Sequence, residues 1–227
     1  MRQINEIMQD ANFGKNKENA IKKLFEFSEF EKQIKNIYIS FGKLLVGEGF
    51  LVKKEFSKII TNLLIYFTGN TGEYDLNKGI YLVGDYGVGK STIFTILRKL
   101  LAHISLTDNF GKKLNPNGFQ ITSVEQIIDV YKKDGSLDYF GFRKESKPLH
   151  LCINEFGKDV NEKIYGTQAN ELINSLFMIR YELFQQGYLT HCTSNFHPKD
   201  LKIEKIIADR MKEMFNFIEL KGESFRK

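Results

Sequence analysis

Residues 84–92 read GDYGVGKST and fit the pattern G-x-x-x-x-G-K-[ST], with Gly84, Gly89, Lys90 and Ser91 at the fixed positions and a further glycine, Gly87, between them. Glycines at this spacing let a backbone turn tightly enough to aim successive amides at phosphate oxygens. Gly84, Asp85, Tyr86, Gly87, Val88, Gly89, Lys90, Ser91 and Thr92 therefore form a candidate phosphate cradle. Lys90 would reach the β and γ phosphates of a nucleoside triphosphate, and the Ser91 hydroxyl would hold Mg²⁺. Two polar pairs end apolar runs further on: Asn154 and Glu155 after HLCI, Ser194 and Asn195 after THCT. Glu155 can polarise a water for in-line attack, and Asn195 can orient that water or sense the γ phosphate.

These residues act together only if the fold brings them to one crevice. GIYLVG (79–84) reads as a buried strand, and Ile93, Ile96, Leu97, Leu100 and Leu101 as the apolar stripe of a helix that follows the glycine loop. Further strands are expected at 118–122, 149–153, 189–194 and 215–220, with helices from Ser123 through Tyr131, from about 168 to 186 and near 203–214. Ser123 with Gln126 three residues on makes a capping box for the first of these helices. Strands alternating with helices imply a parallel sheet covered on both faces, and its carboxyl ends are where ligands bind. Before the sheet, Ile21, Leu24, Phe25 and Ile34, and then Phe56, Ile59, Ile60, Leu63, Leu64 and Phe67, keep helical spacing. GNTGEY (69–74) punctuates the chain, so the expected division is an N-terminal helical region, 1–74, and a phosphate-loop domain, 75–227.

At 227 residues the chain can bury one ordinary core, and its apolar and charged fractions, 42% and 27%, are those of a globular protein. No apolar run reaches membrane-spanning length and the first residues lack a secretory signal, which leads to the expectation of a cytoplasmic protein without a membrane partner. Cys152 and Cys192, each inside an apolar run, read as buried thiols rather than a disulfide or metal site. The net charge of +5 mildly favours an anionic partner. Residues 131–147 interleave Tyr131, Tyr139, Phe140 and Phe142 with Lys132, Lys133, Arg143, Lys144 and Lys147, which either grip single-stranded nucleic acid or form a solvated loop with its aromatics in the core.

A phosphate loop alone does not separate an ATPase from a small-molecule kinase or a GTPase. Gly84 to Ser91, INEFG, HCTSNF and the closing ADRMKEMFNFIELKGESFR together resemble the Walker A, Walker B, sensor-1 and carboxyl-terminal arginine motifs of DnaC/IstB-type AAA+ ATPases, the bacterial helicase loaders and transposition helper ATPases. The likeness runs over about residues 75–227. It implies an AAA+-like P-loop sheet sandwiched by helices, without a C-terminal helical lid. It also implies ATP and Mg²⁺ as cofactors, an ATP-dependent homo-oligomer, and single-stranded DNA, a replicative helicase or a transposase as partner. By the same resemblance Arg210 is an arginine finger serving a neighbouring subunit, and Arg226 has a phosphate or interface role. Arg180 lies on the apolar stripe of its helix, where its stem lies along the core with its head in water or its charge is paired at an interface or ligand. A similar Arg-Tyr pair in the family favours the latter.

The departure from the family pattern is Asn154, where an Asp would help hold the water shell of Mg²⁺. Asn keeps an acceptor oxygen and loses the charge, so ATP hydrolysis is expected to be slow or partner-dependent. The alternatives are a P-loop kinase of a small metabolite and a non-hydrolysing, ATP-gated binding module.

Overall fold

The computed structural model describes residues 20–104, 106–107, 113–140, 148–158, 163–164, 167–201, 203 and 205–225. Strand burial separates the interior of its sheet from the edge. Strands β1 (Gly79–Gly84) and β8 (Thr190–Ser194) are buried almost throughout, as apolar strands covered on both faces must be. Strand β9 (Phe215–Leu220) mixes buried with exposed residues. With β4 (Phe119–Ser123) and β5 (His150–Asn154) they form one five-stranded sheet in the order β4-β5-β8-β1-β9, every pairing parallel. The α/β parallel sheet expected from the sequence is thus present, with β4 and β5 displaced by a residue from their sequence-based bounds. Two short antiparallel hairpins, β2 (Leu106–Thr107) with β3 (Lys113–Leu114) and β6 (Lys163–Ile164) with β7 (Thr167–Gln168), were not expected, because two-residue strands carry no periodicity.

Helices α1 (Phe27–Val46), α2 (Lys54–Phe67) and α3 (Lys90–His103) cover one face of the sheet. There the rings of Phe67 on α2, Phe94 on α3, Phe119 on β4 and His191 on β8 pack against one another. Leu63, Leu64 and Phe67 have no exposed surface, and each such side chain contributes about 1.5–3 kcal/mol of burial. One apolar cluster runs from Ile21 through these helices to Leu220. The stripe that begins at Ile21 becomes helical only at Phe27; residues 20–26 instead lie across the domain. They are fixed by Asn117, which bonds both polar groups of Lys22 at 2.7 Å, and by Asn70, which accepts from the Phe27 amide at 3.1 Å.

The capping box opens α4 (Val124–Asp134): the Ser123 hydroxyl accepts from the Gln126 amide and the Gln126 side chain from the Ser123 amide, both at 3.2 Å. On the other face Phe177 of α5 (Ala169–Gln185) packs on Phe156 and Phe215, and α6 (Lys205–Met214) lies beside α5. Cys152 pairs in register with His191, and Cys192 with Ile153. The two buried thiols therefore sit one register step apart and point to opposite faces.

Candidate nucleotide site

The loop between β1 and α3 turns through Gly87 at φ +80° and Gly89 at φ +90°, a backbone region that side chains with a Cβ rarely enter. Lys90, the first residue of α3, is only 8% exposed and folds its ammonium back into the loop. It donates to the Gly84 and Asp85 carbonyls at 2.7 and 2.8 Å and to Asn195 Oδ1 at 2.7 Å. The glycine loop and the end of β8 are thus one site, and two residues 105 positions apart in the sequence meet in it. Ser91 is exposed at the start of the helix, and Tyr86 stands 70% exposed at the loop's crest.

The end of β5 is held by the end of β8. Glu155 has φ +59°, the one non-glycine residue in the left-handed region among the described residues, a conformation that costs about 1–2 kcal/mol. Hydrogen bonds on both sides offset it. The Glu155 amide donates to Thr193 Oγ1 at 3.1 Å, the Phe156 amide to the Thr193 carbonyl at 2.8 Å, and the Ser194 hydroxyl to the Phe156 carbonyl at 2.6 Å. Thr193 Oγ1 in turn donates to Asn154 Oδ1 at 3.1 Å. The Glu155 carboxylate, about half exposed, pairs at 3.3 Å with Lys158, which also bonds Glu125. Lys158 holds the Glu125 carboxyl below its usual range, and the two carboxylates hold the Lys158 ammonium above its own.

Sequence reasoning passed over Thr193 and Lys158. The signal for Thr193 was strand alternation: it shares a face of β8 with His191 and Asn195, and the triplet TSN therefore aims two polar side chains at the α3 side. The expectation that Asn154 offers an oxygen to Mg²⁺ differs from what is found, because that oxygen faces Thr193. What is left for a cation is the Ser91 hydroxyl and a Glu155 carboxylate already paired with lysine. With its oxygen bonded to Thr193, Asn154 does not fit a protein-held Mg²⁺ at that position.

Residues 222–225 run from β9 onto the glycine loop. The Phe225 amide donates to the Gly87 carbonyl at 3.0 Å, the Lys53 ammonium lies 4.1 Å from the centre of the Phe225 ring, and the Phe56 ring is 6.2 Å away. A Cβ on Gly87 would come 2.1 Å from the Ser224 hydroxyl, which is a second reason for glycine there. Arg226 lies outside the described residues.

The two other candidate arginines are elsewhere. Arg210 of α6 sits over the Tyr181 ring at 4.4 Å and against the Met178 sulfur, both on α5 of its own chain. Arg180 is 1% exposed, so its head does not snorkel to water, and among the described residues its partners are uncharged. Its guanidinium donates to Thr190 Oγ1 and to the carbonyls of Phe140, Leu149, Tyr188 and Leu189 at 2.9–3.4 Å. Of the aromatic and basic segment, Tyr139 is 48% exposed while Phe140 is buried; Phe142, Arg143, Lys144 and Lys147 lie outside the described residues. No helix of the described residues is long and apolar enough to cross a membrane.

No family model matches the sequence, and no curated protein matches it closely enough to count. Solved structures do resemble it. The structure of DnaI superposes with a TM-score of 0.52 at 19% identity, covering 79% of this chain and 88% of that one. The DnaC helicase loader gives 0.50 at 16%, covering 76% and 93%. The replication initiator DnaA bound to AMPPCP and single-stranded DNA gives 0.50 at 15%, and there the match spans 78% of this chain but only 49% of the initiator. At such identities the likeness speaks for architecture: this chain has the AAA+-like P-loop fold that helicase loaders and replication initiators share.

Proposed function

We propose that this protein is an ATP-binding ATPase of the helicase-loader or transposition-helper kind, which couples its nucleotide state to engagement of single-stranded DNA or a protein partner. The observation that carries the reading is the Lys90 ammonium held at 2.7 Å from both Gly84 O and Asn195 Oδ1. A loop lysine already hydrogen-bonded to the neighbouring strand end is poised to exchange carbonyl partners for phosphate oxygens. The amides of Gly87 to Ser91 and the amino terminus of α3 would cradle the phosphates. Asn195, beside Lys90, would orient the attacking water or sense the terminal phosphate. Glu155 would take the water's proton once released from Lys158. Arg210 would act on the site of a neighbouring subunit, where a guanidinium stabilises charge developing on the transferred phosphoryl group. The bound AMPPCP and single-stranded DNA of the DnaA structure lend the choice of ATP and DNA support from a protein of the same fold.

The pairing of Glu155 with Lys158 and the amide at position 154 favour a second reading, an ATP-gated binding module with little or no turnover. ATP turnover with and without single-stranded DNA separates the two. Lys90→Ala should abolish ATP binding measured by calorimetry while the protein stays folded, since Lys90 contributes charge rather than packing. Retained affinity in that variant would refute both readings.

A further inference from the structure

Position 154 is tied to Thr193 by hydrogen-bond logic as well as distance. The Thr193 hydroxyl accepts from the Glu155 amide at 3.1 Å, so its own proton needs an acceptor, and the group within reach is Asn154 Oδ1, also at 3.1 Å. With Oδ1 turned to β8, the amide nitrogen of Asn154 is the group left to face away from it. Strand alternation puts Asn154 on the same face as Cys152, and Thr193 on the same face as His191, which is the register partner of Cys152; this is the face that α3 covers. That is also the face from which Asn195 reaches Lys90.

We propose that Asn154, fixed by Thr193, presents amide N–H donors rather than a metal-directed oxygen to the nucleotide crevice, so that this site takes anionic phosphate oxygens without a protein-held cation at position 154. The proposal rests on the nucleotide reading of the glycine loop. It deepens that reading by assigning Thr193 as a positioning residue and by naming the chemistry position 154 recognises. An aspartate here would leave one oxygen for the Thr193 hydroxyl and turn a second, charged oxygen outward, where it repels phosphate and attracts a hydrated divalent cation. The asparagine inverts that preference at unchanged shape. The same hydroxyl secures the Glu155 amide, so the left-handed turn and the orientation of Asn154 depend on one side chain.

The test is ATP binding by calorimetry in excess Mg²⁺ and in excess EDTA, which needs no turnover. For the unaltered protein the two affinities should agree within about threefold, whereas Asn154→Asp should gain roughly tenfold or more from Mg²⁺. Thr193→Val removes the hydroxyl, frees the amide to turn its oxygen outward, and should make Mg²⁺ strengthen ATP binding several-fold. Thr193→Ser should restore the unaltered response, which a purely space-filling role of Thr193 does not foresee. If EDTA weakens ATP binding to the unaltered protein as much as to Asn154→Asp, the proposal is overturned. A folded Thr193→Val protein with the unaltered cation response overturns the role of Thr193. Should Thr193→Val not fold, the Asn154→Asp comparison decides alone. Binding of ATP under neither condition would instead remove the nucleotide reading itself.

Discussion

Acid should unfold this protein through two histidines in its sheet. His150 and His191 are 4% and 0% exposed. Burial pushes the His150 imidazole down from 6.5 to about 4, with the Arg180 guanidinium adding to the effect. Its Nδ1 accepts from the Leu189 amide at 2.8 Å, a bond available only while that nitrogen is unprotonated. His191 is pushed well below 6.5 by burial and then by His150 and Arg180. Between these limits the unfolded chain binds protons that the folded chain refuses. Stability is therefore whole above pH 6.5 and is lost as pH falls toward the folded values. At about 1.36 kcal/mol for each pH unit, a fall from 6.5 to about 4 makes His150 alone responsible for about 3 kcal/mol. Urea unfolding followed by circular dichroism at about pH 7.5 and about pH 4.5 measures the loss. His150→Gln keeps an acceptor for the Leu189 amide and cannot be protonated, so between these two pH values its acid loss should be smaller by about 2.5 kcal/mol. Carboxylates contribute equally to both proteins and cancel in the difference. Equal acid losses in the two proteins would refute the reasoning.

Three further outcomes are expected. Arg210→Ala should bind ATP normally and lose turnover by roughly 10³-fold or more, and mixing it with Glu155→Gln protein should restore part of the activity; no restoration would mean Arg210 does not act between subunits. Arg180→Met leaves four carbonyls and a threonine hydroxyl without their donor, which should cost about 3 kcal/mol or more and lower the thermal midpoint by roughly 10 °C; a shift within about 2 °C would show the cation to be replaceable. Cys152 and Cys192, both without exposed surface and with thiols pushed up by burial, should resist labelling in the native protein and react on unfolding; rapid native labelling would place their strands outside the core.

The sheet was legible because its strands are continuous apolar runs, and the glycine loop because its residues are contiguous. Asn195 was legible too, since a polar residue ending an apolar strand in such a fold faces the ligand edge. What could not be read were relations that depend on register. Cys152 and Cys192 stand at equal spacing before Glu155 and Asn195, which suggests level thiols, yet β5 and β8 pair with a one-residue offset. That offset sets Thr193, rather than a residue nearer the loop, opposite Asn154. Arg180 was misread for a different reason. Helical periodicity shows that a charge lies on a buried stripe, but its carbonyl partners come from segments near 140, 149 and 189 that no local pattern links to it.

The order of the sheet also has a consequence for how the chain comes into being. Strand β1 leaves the ribosome first among the five, but its two neighbours are the last two made, β8 and β9. At roughly 5–20 residues per second, the roughly hundred residues that separate β1 from β8 take on the order of ten seconds to appear. Throughout that interval GIYLVG has no strand to pair with, and only the flanking helices α2 and α3 can cover it. The glycine loop at its end is in the same position, because Asn195 and residues 222–225, which meet it in the finished fold, are added long after it. The glycine loop therefore lacks its finished surroundings until these segments follow, and the first strand is the segment most exposed to wrong partners.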